Sequence, residues 1–255
     1  MLNRFSLGLR HKKNNVPILS QQDIECLAKM LIKEYNSDLL TTPNALDVDD
    51  FTEFFLELEI EYYYLSHNGC YFGMYVFNDS DKIPVYYPSD NTVRTLSNKE
   101  GTILLDSYLD GINNEPLRRF TLLHECSHAL LHRQYYEKSE DQLSLFDFDE
   151  LEDGSNIQMH AAFVSRPVQF SSGRRRLETD HDWIEWQANT LASCLLMNED
   201  AVLNFINQYD FDVKNKFHKI LLEEQISDYF IVSKEAAKIR LNVLFNNQSN
   251  TGSLL

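Results

Sequence analysis

Apolar residues recur at helical spacing in the first clear element of this chain. Ile24, Leu27, Ala28, Leu31, Ile32 and Tyr35 share one face, as i, i+3 and i+4 repeats on an α-helix do. Ser20 precedes them and Asp23 follows three residues later, a short capping box. Residues 1–16 read as a loose polar start. Thr42-Pro43-Asn44 marks a turn, and 47–57 predicts a second helix carrying Val48, Phe51, Phe54 and Phe55. The period then shortens. Segments 59–65, 71–77, 82–87 and 102–106 are rich in Tyr, Ile, Val and Phe and are punctuated by Asn68-Gly69, 78–81 and 99–101. They predict the short strands of one small sheet. A helix follows from Asn114-Glu115-Pro116, where Asn can cap and Pro is tolerated in the first turn. Residues 133–178 show no clear period and hold an acidic run at 137–153. Helical spacing returns from about His181 with Ile184, Ala188, Leu191, Ala192 and Leu195. Helices are also expected at 198–209, 213–224, 226–230 and 233–245, and a disordered polar tail at 247–255.

This order predicts an α+β fold: a small sheet packed on helices, then a helical C-terminal region. The 255 residues suffice for one to two domains. The chain divides into an N-terminal extension at 1–19, a main domain at 20–197 with an insertion at 133–178, a helical region at 198–246 and the tail. Lys and Arg number 23 against 39 Asp and Glu, a formal charge of −16. Such a surface repels phosphate backbones, so nucleic acid is unlikely as a direct ligand, while a basic protein partner would be attracted. The charge also serves solubility alone. No stretch approaches the roughly 20 apolar residues that span a bilayer, and the N-terminus lacks the apolar core of a secretory signal. Cys26, Cys70, Cys126 and Cys194 are widely spaced. Free thiols in a reducing cytoplasm fit that spacing.

The chemistry concentrates at His124-Glu125-Cys126-Ser127-His128. Residues i and i+4 of a helix lie on one face, so His124 and His128 can direct two imidazoles at one Zn²⁺. Glu125 lies about 100° round the helix, placed to reach water beside the metal without being a ligand. Cys126 points away. The arrangement that supplies a third histidine, H-E-x-x-H-x-x-G-x-x-H, is absent: Leu131 and Gln134 stand at those positions. His132 lies a further turn along, too far to share the metal, and reads as packing or support. The third ligand candidate is Glu185, in Glu185-Trp186-Gln187-Ala188-Asn189. Asn189 lies one turn later on the same face, able to hydrogen-bond a ligand imidazole. Ala188 and Ala192 keep that face small.

Arg119-Phe120-Thr121-Leu122-Leu123-His124-Glu125-Cys126-Ser127-His128 through His132, with 185–189 and 191–197, resembles the ImmA/IrrE family of metallopeptidases. The resemblance implies a zincin-like core, with Zn²⁺ held by His124, His128 and Glu185 and Glu125 as catalytic base. It also implies a helix-turn-helix transcriptional repressor or antitoxin as the cleaved partner. Ser127, Leu191 and Asn198 depart from the family pattern, and the 57-residue step from His128 to Glu185 is longer than the family's. His160, His181 and tyrosines of the insertion are candidate oxyanion donors. The acidic run 137–153 reads as a solvated loop or as a lid over the cleft. Residues 226–244 resemble a helix-turn-helix unit with Lys234, Lys238 and Arg240 on its second helix. Two alternatives therefore stand beside the peptidase: a catalytically weak zinc sensor or interaction protein, and a DNA-binding regulator.

Overall fold

The computed structural model describes residues 8–69, 71–111, 114–136, 177–209, 211 and 215–251. Helix α1 (Gln21–Asn36) starts at the predicted capping box, with Ser20 and Asp23 each accepting the other's backbone N–H. Its apolar stripe is buried. The short α2 (Asp38–Thr41) follows, and α3 (Val48–Asp50) starts at Asp47, whose side chain accepts the Asp50 N–H. The expected second helix then widens into a π-helical turn at Phe51–Phe55. There Phe51 is buried and meets Tyr35 edge-on at 5.2 Å.

The strands are β1 (Glu59–Tyr63), β2 (Gly73–Tyr75), β3 (Ser80–Tyr87), β4 (Thr92–Asn98) and β5 (Thr102–Asp106). They form two sheets where one was expected. One has the order β1-β5-β2, with β5 parallel to β1 and antiparallel to β2. The other is the β3–β4 hairpin. Strand β4 escapes a reading from hydrophobicity because most of it is exposed and polar; hairpin pairing, not burial, makes it a strand. Every residue of β5 is buried, as befits a central strand covered on both faces.

Helix α4 (Glu115–Leu131) lies against β2 and β5 and, elsewhere on its surface, against α6 (Asp180–Leu196). Asn114 does not cap α4; its amide donates to the Tyr108 carbonyl instead, at 2.7 Å. Pro116 in the first turn has no N–H that needs a cap. Helix α5 (Arg133–Tyr136) continues from α4. Helix α6 opens on a second capping box, Thr179 with Asp182, and also packs on α1. Then come α7 (Glu199–Gln208), started by Asn198, α8 (Lys216–Phe230) and α9 (Lys234–Thr251). The segments expected at 213–224 and 226–230 are one helix. Helix α9 continues to 251, where a tail from 247 was expected. Propagating an anchored helix costs little once its nucleus is formed.

Two further features tie the chain ends to this core. Residues 8–16 are not loose: His11 bridges Pro17, Lys12 pairs with Asp180 at 2.9 Å, Asn15 donates to the Gln134 carbonyl at 3.1 Å, and Val16 is buried. At the other end, Arg240 of α9 is buried. Its guanidinium binds both carboxylate oxygens of Glu25 in α1 and donates from Nε to the Met197 carbonyl. Burial by itself would raise the Glu25 pKa, but the bonds and charge of Arg240 outweigh it and the pKa is lowered. Removing one partner strands a buried charge. Arg240→Met is expected to lower unfolding free energy by about 3–5 kcal/mol in urea titrations. The double change Glu25→Leu with Arg240→Met is expected to recover most of that loss.

Candidate metal centre

His124 and Glu125 are adjacent on α4, His128 lies one turn beyond His124, and all three are fully buried. The flanking Leu122, Leu123, Ala129 and Leu131 explain why: the helix is packed into the core and takes its polar residues with it. Helix α6 approaches closely because Ala188 and Ala192, both fully buried, present no bulk. That approach carries Glu185 to the two imidazoles. His124 Nε2 lies 3.5 Å from Glu185 Oε2 and His128 Nε2 lies 3.4 Å from Glu185 Oε1. The two Nε2 atoms are 3.0 Å apart. Ligand atoms of His124, His128 and Glu185 all fall within 4.8 Å of one another.

The chemistry of this set fits a cation. Two imidazole nitrogens and a carboxylate are the N/O donors that a divalent transition metal takes. Glu185 Oε1 is buried without a hydrogen-bond partner. Such atoms are costly unless something positive faces them.

Electrostatics point the same way. Burial, with a smaller push from His128, takes the His124 pKa down to about 4, against the opposing pull of Glu185 and Asn189. Burial, then His181, takes His128 down to about 3. Both imidazoles are thus neutral near pH 7, the form that ligates metal. Burial, then the charge of Glu185, raises Glu125 well above the usual carboxylate range. Neither Glu125 oxygen has a hydrogen-bond partner; the Tyr75 amide of β2 exerts only a weak opposing pull.

The remaining expected residues sort as follows. Asn189 lies close enough to act on His124, and both His124 Nδ1 and Asn189 Oδ1 are buried without a hydrogen-bond partner, a complementary donor and acceptor pair. Cys126 points away, with its Sγ 3.3 Å from Thr52 Oγ1, and burial pushes its thiol up to about 12. His132 sits beside His128 rather than beside Glu185, at 3.0 Å between Nδ1 atoms. His181 is exposed on the first turn of α6 and acts on His128 through its charge. His160 and the acidic run 137–153 lie outside the described residues.

Two further residues lie near the site: Gly73, which carries no sequence signal, and Tyr136, one of the tyrosines of the expected insertion. Gly73 of β2 faces Glu125: a Cβ there would lie 2.6 Å from Thr121 Cγ2 and 2.9 Å from Glu125 Oε1. Only a glycine leaves Glu125 its place. Tyr136 is buried, and after burial its phenol is raised by Glu185 and, less, by Glu125, so its hydroxyl lies within electrostatic range of both.

Residues 173–242 match the family described as Peptidase M78, IrrE N-terminal-like domain. The match begins beyond α4 and takes in Glu185 and Asn189. It therefore supports an ImmA/IrrE metallopeptidase from residues outside the His124–His128 motif. No curated protein matches significantly.

The depressed imidazole pKa values have a consequence for stability. Unfolded histidine titrates near 6.5, and the folded values of His124 and His128 are about 4 and about 3. His132 is also lowered by burial. Between about pH 6.5 and 4 the unfolded chain therefore binds more protons at these three sites, and stability must fall with falling pH. Glu125, raised when folded, acts in the opposite direction, but it is one group against three. Melting curves of metal-free protein are expected to shift to lower temperature below about pH 6.5. A melting temperature that stayed level from pH 7 to 4.5 would contradict these assignments.

Proposed function

We propose that this chain is a zinc-dependent endopeptidase, with Zn²⁺ held by His124, His128 and Glu185. The single observation that carries the reading is the meeting of two buried imidazoles and the partly buried Glu185 carboxylate with a further buried group, Glu125, whose carboxylate has no hydrogen-bond partner and is not one of the three. Zinc in such a setting supplies Lewis acidity, acidifying water to a pKa of about 7 and polarising a carbonyl.

The chain's own residues do the rest. Glu125 takes a proton from the attacking water and delivers it to the leaving amine. A carboxylate in surroundings that disfavour its charged form is a strong base. Gly73 keeps that carboxylate in position, and the apolar walls around α4 exclude competing water. Asn189 is the complement of the His124 Nδ1–H on the side away from the site, placed to orient the ring once the two close to bonding distance. Neutral imidazoles remain available as ligands down to mildly acidic pH.

The substrate class follows from the resemblance: a helix-turn-helix repressor or antitoxin, cut at one site. A basic DNA-binding substrate would be drawn to a chain of charge −16. The alternative of a DNA-binding regulator has little to stand on at α8–α9. These helices do meet at a tight turn through the left-handed Ile231. But Arg240 is buried on Glu25, Lys234 pairs with Glu224 at 2.6 Å, and Lys238 lies 3.8 Å from Glu235. Arg240 is thereby withdrawn from the surface, and each exposed lysine of α9 has a carboxylate beside it that offsets its charge.

Glu125→Gln is expected to retain its metal by elemental analysis and to lose about 10²–10⁴-fold in peptide cleavage. Full cleavage by that variant would remove Glu125 from the mechanism. No cleavage by a metal-loaded wild-type chain, against a helix-turn-helix repressor encoded beside it, would favour the sensor reading. Gly73→Ala is expected to keep metal content while kcat falls on the order of 10²-fold, because its Cβ displaces Glu125.

A further inference from the structure

The C-cap of α4 is a third buried imidazole, His132, to which the peptidase reading assigns no task. Its Nδ1 lies 3.0 Å from His128 Nδ1, and its Nε2 lies 3.0 Å from Gln187 Oε1. Gln187 is fully buried on α6 and donates from Nε2 to the Pro17 carbonyl at 2.8 Å. Four residues from three segments thus form a file that ends on an imidazole of the candidate metal centre.

The file has one consistent direction. A backbone carbonyl only accepts, so the Gln187 NH₂ faces Pro17 and its oxygen faces His132. A flipped amide would set oxygen against oxygen. Gln187 Oε1 only accepts, so His132 donates from Nε2. A neutral imidazole carries one N–H, so His132 Nδ1 holds a lone pair. That lone pair accepts the Nδ1–H of His128. The free lone pair of His128 is then on Nε2, the atom that faces His124 and Glu185.

We propose that Pro17, Gln187 and His132 form a tautomer relay that holds His128 with its proton on Nδ1 and its Nε2 lone pair directed at the metal. The proposal rests on the metal-centre reading above and makes Gln187 and His132 positioning residues. It also makes the N-terminal arm part of the centre. The arm fixes the Pro17 carbonyl by contacts with α6 and with α5, which continues from α4: Lys12 pairs with Asp180 and lies 5.5 Å from the Trp183 ring centre on α6, and Asn15 donates to the Gln134 carbonyl on α5. The other tautomer of His128 would turn an N–H towards the cation and would have to convert before binding it.

Long-range ¹H–¹⁵N correlation spectra of the full-length chain, labelled with ¹⁵N-histidine and stripped of metal, read the tautomers directly. His128 is expected with its proton on Nδ1 and His132 with its proton on Nε2; a proton on His128 Nε2 overturns the relay. Cobalt titration gives a second readout. Gln187→Leu and His132→Leu are expected to weaken Co²⁺ binding roughly tenfold to a hundredfold. His132→Asn, whose Oδ1 can stand where Nδ1 stood, is expected to recover most of that loss. Equal Co²⁺ affinity in the wild type and in folded Gln187→Leu overturns the proposal. Wild-type protein that bound no Co²⁺ would overturn the metal-centre reading itself, whatever the tautomers. Co²⁺ bound with the wrong tautomer on His128 would overturn the relay alone.

Discussion

Taking ionisable side chains out of water is costly unless each finds a partner. Helix α4 and its C-cap take four of them, His124, Glu125, His128 and His132, into full burial among apolar Leu122, Leu123, Ala129 and Leu131. Everything around the helix answers to that cost. The imidazoles are held neutral, Glu125 is pushed towards its protonated form, and the donor atoms that remain are turned towards one another and towards Glu185. The donors of His124, His128 and Glu185 form a group that could hold a metal ion.

The supporting architecture follows from the need to bring α6 against α4 at close range. Ala188 and Ala192 allow the approach, and the Thr179–Asp182 capping box sets where α6 begins, hence which turn Glu185 occupies. Helix α6 is in turn held by α1, and the junction of α1, the end of α6 and α9 is locked by Glu25, Met197 and Arg240. On the opposite side β2 comes so near Glu125 that Gly73 has no room for a side chain. The same packing that stabilises the fold therefore sets the geometry of the centre. A small shift of α6 or β2 would separate groups that are 3–4 Å apart.

Much of this was legible from residue pattern. Helical spacing located α1, α4, α6 and α7, and side-chain chemistry located the N-terminal capping box of α1, Ser20 with Asp23. The four residues of the centre were legible because i, i+4 spacing puts His124 and His128 on one face whatever surrounds them. Where the reading missed, long-range contacts were at work. Strand β4 has too little apolar content to declare itself and exists by pairing with β3. The arm at 8–16 is polar, as loose termini are, yet its polar groups are spent on Asp180 and Gln134 far along the chain. Arg240 looked like a surface cation on a basic helix and is instead a buried partner of Glu25.

The local arrangement of the candidate centre is legible in the sequence itself: two histidines one helical turn apart, a glutamate beside the first, and a glutamate and an asparagine one turn apart on a later helix. These relations depend only on the geometry of a single helix. Tertiary structure decided what no single helix can. It brought Glu185 to the two imidazoles across an alanine-lined helix contact, singled out Gly73 by the distance of β2 from Glu125, and gave His132 its partners Gln187 and Pro17. Those relations are between segments separated by tens to hundreds of residues, and only packing fixes such distances.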